Sequence, residues 1–170
     1  MDQSTQPDRA TLAQLAARLF TARQVKARAA VRARQADRAA AERHLLPWLA
    51  MACLAGADLP ELDEPLADLR TVDPDGIWTL SDAQARGLLA GQICPRARWA
   101  PVLGAARDAA VDRADAACRS DQVPESERAA NIAEFHALRA LIAALGSDPS
   151  GRHHVPGYRQ TPATTDRKAA

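Results

Sequence analysis

From Thr11 to His44 the chain contains neither glycine nor proline. Nothing there forces the backbone to turn, and alanine and arginine, both strong helix formers, fill most of the stretch. Thr11 and Gln14 make a T-x-x-Q capping box at its start. The pattern predicts one long helix over Thr11 to His44, the N-terminal part of a mainly helical, all-α fold. Positions 12, 15, 19, 22, 26, 29, 33, 36 and 40 repeat at 3-4 spacing and read Leu, Leu, Leu, Ala, Lys, Ala, Ala, Ala, Ala. That is a coiled-coil-like seam, but a thin one. Alanine lets helices approach closely while burying little surface, so at about 25 cal/mol per Å² the seam alone makes a weak dimer interface.

Composition extends the same point. Hydrophobic residues are 47% of the 170, yet about 40 of them are alanine, roughly half the apolar count. Large core-forming side chains are scarce. The net charge of +1 is an average over blocks: residues 1–56 carry +5 and residues 57–80 carry −6. Lysine occurs only at 26 and 168, so the positive charge is almost all guanidinium, always charged and able to make bidentate contacts.

The rest of the chain divides by its punctuation. Pro47 is expected to end or kink the first helix and to start a short core helix over Pro47 to Ala55, closed by Gly56. The acidic stretch from Asp58 to Asp68, with Pro60 and Pro65, reads as a connecting loop. Asp73-Pro74-Asp75-Gly76 between two β-favouring runs allows a small β-hairpin over 69–80. Ser81 and Gln84 form a second capping box, with Gly91 as the stop. Pro101 and Pro124 are placed at the first positions of two further helices, the latter closed by Gly146. With the polar turn Ser120 to Val123 between them, these form an antiparallel αα-hairpin whose small face (Val102, Ala106, Ala110, Ala114, Ala117) meets a large one (Ile132, Phe135, Leu138, Ile142, Leu145). Residues 1–56 thus read as a basic helical region, 57–80 as an acidic connector, 81–146 as a helical subdomain and 147–170 as a flexible tail or an arm that orders on a partner.

Motifs for chemistry are absent. There is no G-x-G-x-x-G, no G-x-x-x-x-G-K-[ST] and no G-x-S-x-G. Three scattered cysteines, Cys53, Cys94 and Cys118, suggest neither a disulfide framework nor a zinc site and read as reduced core residues. His44, at the expected helix end, suits the helix dipole. His153-His154 lacks further ligands at useful spacing. The twelfth position from Asp73 is Gln84 rather than Glu, against a calcium loop. No catalytic residue, cofactor or metal site is expected. Trp99 is expected to staple the start of the Pro101 helix, and Trp48, Trp78 and Trp99 are each a core residue or an interface anchor.

Met1-Asp2-Gln3-Ser4-Thr5 lacks the basic and apolar regions of a signal peptide, and the run Leu45 to Ala57, interrupted by Pro47, falls far short of the roughly 18 residues that span a bilayer. A cytoplasmic location without membrane contact is expected.

The strongest functional cue is the basic run Arg18, Arg23, Lys26, Arg28, Arg32, Arg34, Arg38 and Arg43, opposed only by Asp37 and Glu42. On one continuous helix, Arg18, Arg28, Arg32 and Arg43 gather on one flank of the seam and Arg23, Arg34 and Arg38 on the other. Such a surface tracks phosphates through counterion release. No aromatic residue lies between Phe20 and Trp48, so base stacking is not built in and recognition would be sequence-blind. The alternatives are a solvated arginine face, or one docked on acidic protein, including the 58–68 stretch of the same or a neighbouring subunit.

Two class-level likenesses follow. The segment from Trp99 to Leu145 is similar in character to small helical-hairpin proteins of tailed-phage morphogenesis modules, which implies an assembly role. The whole chain, helical and Arg-rich, is similar to small helical subunits of CRISPR ribonucleoprotein effectors, which implies a nucleic-acid path. Neither transfers a functional residue. The expectation is a non-enzymatic subunit of a larger assembly or homo-oligomer, contacting nucleic-acid backbone, RNA or DNA. The alternative is a protein–protein adaptor or phage/virion assembly protein without nucleic-acid contact.

Overall fold

The computed structural model describes residues 8–71 and 80–146. The expected tail over 147–170, with its histidine pair, and Trp78 lie outside them. Among the described residues there are six helices and no strand: α1 (Arg9–Arg32), α2 (Arg38–Leu54), α3 (Pro60–Thr71), α4 (Asp82–Ile93), α5 (Arg96–Arg119) and α6 (Glu125–Ala144). The all-α expectation holds.

The single N-terminal helix does not. It breaks after Arg32 and reverses into α2. Ala33 caps α1, Arg34 takes the left-handed conformation at φ 57°, and the amides of Arg34 and Gln35 donate to the carbonyls of Val31 and Ala30. This is the paired bonding of a Schellman stop, in which glycine is the usual left-handed residue. The same motif ends α2 with a glycine in that place: Gly56 at φ 84°, with Gly56 and Ala57 donating to Cys53 and Ala52. Asp37 then caps α2, its carboxylate accepting from the Ala40 amide at 3.2 Å. The expected seam therefore does not run through the turn. Its first part does face the core, where Leu12 and Leu19 pack partly buried beside the buried Ala16 and Phe20, while Lys26 and Ala29 stay exposed.

Prolines misplaced several other boundaries. Pro47 lies inside α2, Pro65 inside α3 and Pro101 inside α5, each forgoing one i→i−4 hydrogen bond. His44 is consequently mid-helix rather than terminal. The acidic stretch is not a loop but α3. Pro60 stands at its first position with Glu61 and Asp63 in the first turn, where acids favour the helix dipole, and Leu59, Leu62 and Leu66 are buried beneath it. Leu69 and Arg70 belong to α3, so the first strand of the expected β-hairpin is helical there; its remainder falls outside the described residues.

The Ser81–Gln84 capping box is present in full. Gly91 does not stop α4, which ends at Cys94 because Pro95 pushes the preceding residue into extended backbone (φ −158°, ψ 117°). Pro95 caps α5 and Pro124 caps α6, so Trp99 is a buried helical residue rather than a staple ahead of the helix. The α5–α6 hairpin packs as expected, with the small residues Ala110, Ala114 and Ala117 buried on one helix and Phe135, Leu138, Leu141 and Ile142 on the other. A single cluster of apolar side chains joins these helices to α1, α2, α3 and α4.

Candidate nucleic-acid interface

No residue from Thr21 to Pro47 is buried. The distal part of α1, about 18 Å of helix, and the proximal part of α2 therefore form a two-helix arm. The arm holds seven of the eight predicted basic residues, with Arg18 just before it.

Arg23 is the exception to solvation. Its guanidinium lies 3.5 Å from the centroid of the Trp48 ring, its Nη1 donates to the Leu19 carbonyl at 3.0 Å, and its Nη2 is 3.7 Å from Glu134 of α6. Burial pulls this guanidinium below its ordinary value, Glu134 opposing the effect and the nearby Arg113 adding to it. It remains charged, because the unperturbed value lies so far above neutrality. Arg23 thus ties the base of the arm to α6 rather than facing a ligand freely. Arg38 is also paired, with Glu42 one turn on at 2.8 Å, in full solvent.

The other six, Arg18, Lys26, Arg28, Arg32, Arg34 and Arg43, are exposed and have no side-chain hydrogen bond or ion pair among the described residues. Arginines elsewhere contrast with them: Arg9, Arg70 and Arg86 converge on Asp82, Arg113 meets Glu134, and Arg128 holds Glu125 and two turn carbonyls.

Because the helix reverses, the two expected flanks do not form. Arg28, Arg32 and Arg38 instead border a groove of about 420 Å³ between α1 and α2, floored by Ala27, Val31, Ala41 and Leu45. Arg18, Arg23 and Lys26 border a second groove of about 670 Å³, whose far wall is Arg113 of α5 with Asn131 and Glu134 of α6. Arg34 stands at the turn, and neither it nor Arg43 lines either of these two grooves. The far wall had no local sequence signal, since it depends on how α5 and α6 pack beside α1. The acidic stretch does meet the basic helix through a neutral side chain, Gln24 donating to Glu61 at 2.6 Å.

Among the described residues no three His, Cys, Asp or Glu side chains are grouped to hold a metal ion. Burial pushes the Cys53 and Cys94 thiols above their ordinary value, away from the thiolate form that nucleophilic chemistry needs. No described helix is long and apolar enough to cross a membrane. No protein-family model, curated protein or solved structure matches the chain.

Proposed function

We propose that this chain is a non-enzymatic helical subunit of a larger assembly, and that its basic arm contacts the phosphate backbone of nucleic acid. The observation that carries the reading is the contrast in pairing: six cations on and beside the arm lack an internal counter-ion among the described residues, while most arginines of the helical body have one. Unpaired guanidinium groups release counterions on meeting phosphates at no cost in broken internal ion pairs. Arg34 supports the same reading. Left-handed backbone costs a non-glycine residue roughly 1–2 kcal/mol, and here that residue puts a charge at the tip of the arm. With no Phe, Tyr or Trp on the arm, contacts would be to phosphate and sugar, positioning the subunit without reading sequence. Three free cysteines suit a reducing compartment such as the cytoplasm.

The test is fluorescence anisotropy of labelled single- and double-stranded RNA and DNA with the full chain. Micromolar binding indifferent to sequence supports the reading, as does its loss when Arg28, Arg32 and Arg34 become Glu. Absence of binding at low salt overturns it.

A second reading, a protein-binding adaptor or virion-assembly piece, draws on Val25 and Leu46, which are 59% and 40% exposed on the same arm. It predicts co-purification with an acidic protein and an A260/A280 ratio typical of protein alone.

A further inference from the structure

The groove between α1, α5 and α6 holds four cations and one carboxylate. Arg113 Nη2 lies 3.0 Å from Glu134 Oε2, and Arg23 Nη2 lies 3.7 Å from Glu134 Oε1. Each oxygen of one carboxylate thus faces a guanidinium from a different helix. Two guanidinium groups converging on two oxygens is also how a phosphate is held, because arginine's planar fork matches either anion. Arg18 and Lys26 line the same groove without counter-ions among the described residues, so Glu134 balances only part of the charge.

We propose that this groove is a phosphodiester-binding site and that Glu134 is its internal competitor, occupying the place that a backbone phosphate takes when a strand is bound. The inference rests on the nucleic-acid reading above and adds a location and a gate to it. A phosphate entering between Arg113 and Arg23 displaces a carboxylate that is one-third exposed, so the exchange trades one charge-assisted pair for another. Arg18 and Lys26 then engage the neighbouring phosphates of the same strand. Arg23 keeps its stacking on Trp48 and its bond to the Leu19 carbonyl, so the arm stays anchored while its anion is exchanged.

The experiment compares Glu134→Gln with wild type for binding of a labelled oligo(dT), with Glu125→Gln as the control. Glu125 is the first residue of α6 and is paired with Arg128, whereas Glu134 lies near the middle of that helix. The amide keeps the shape of Glu134 and removes its charge, so the expected result is roughly threefold to tenfold tighter binding at low salt. Glu125→Gln is expected to change it by less than about twofold. Arg18→Ala with Lys26→Ala is expected to weaken binding several-fold while circular dichroism stays unchanged. A purely structural role for Glu134 predicts unchanged or weaker binding by Glu134→Gln, and that result overturns the proposal. If wild type binds and only the arm-tip variant Arg28→Glu/Arg32→Glu/Arg34→Glu weakens it, the groove is wrong and the arm reading survives. If wild type binds nothing, both fail.

Discussion

The Arg23 guanidinium stacks 3.5 Å from the centre of the Trp48 ring, joining α1 to α2 at the base of the arm, just where it leaves the core. Trp48 is 5% exposed, so the arginine is the lid over it. Truncation of Arg23 to alanine removes this contact, the bond to the Leu19 carbonyl and the approach to Glu134, and opens the indole to water. A loss of about 1–3 kcal/mol in urea unfolding, with a red shift in tryptophan emission, is the expected outcome. Lysine at 23 recovers little of it, lacking the planar group that stacks.

The two Schellman stops make a paired prediction. Arg34→Gly relieves left-handed strain and is expected to raise stability by about 0.5–1 kcal/mol, whereas Gly56→Ala is expected to lower it by about 1–2 kcal/mol. At Gly56 the added Cβ meets only Arg9 Nε at an ordinary 3.8 Å, so the cost is backbone strain rather than a clash. Thermal melts of both variants check the sign of each.

Those stops also explain which parts of the fold were legible. Gly56 announced its turn, but the equivalent break at Arg34 carried no glycine, and only Asp37, a capping residue among helix formers, marked the restart. The rule that proline ends helices failed at Pro47, Pro65 and Pro101, because packing around Trp48, Leu66 and Leu103 outweighs one missing backbone bond each. In α3 the signal lay in Leu59, Leu62, Leu66 and Leu69 at 3-4-3 spacing, masked by the surrounding acids. The α5–α6 hairpin was readable because its small and large faces are set by local spacing. The basic residues were legible as a set, but their division between two grooves was not, since it depends on the reversal at Arg34 and on α5 and α6, remote in sequence.

Acid is expected to loosen the meeting of α1, α3 and α4 at Asp82. Partial burial pushes this carboxyl up, but hydrogen bonds from Arg86 and Arg70 and their charges outweigh it and hold the group below its ordinary 3.8. A depressed folded value stabilises the native state above the unfolded value and loses that contribution as pH falls through the folded one. Stability should therefore decline below about pH 4, and Asp82→Asn should lower the plateau slightly and flatten the decline. Urea midpoints from pH 7 to pH 3 measure both.

The α5–α6 hairpin excludes solvent from its facing residues. Ala114 and Leu138 are 0% exposed in it. Ala114→Leu is expected to cost about 1–3 kcal/mol through overpacking, and Leu138→Ala about 2–5 kcal/mol through the cavity left behind. Chemical denaturation distinguishes this from a loosely packed hairpin, in which the larger residue is tolerated.

The central claim, that the unpaired cations of the arm bind phosphate backbone, is tested most directly by the salt dependence of binding. Each phosphate contact contributes roughly 0.7–0.9 to the slope of log affinity against log salt. The full chain should show a slope of about −3 or steeper on single-stranded oligonucleotides, and replacing Arg28, Arg32 and Arg34 with alanine should reduce its magnitude by about 2. A slope near zero, or one that the triple alanine variant leaves unchanged, contradicts the account.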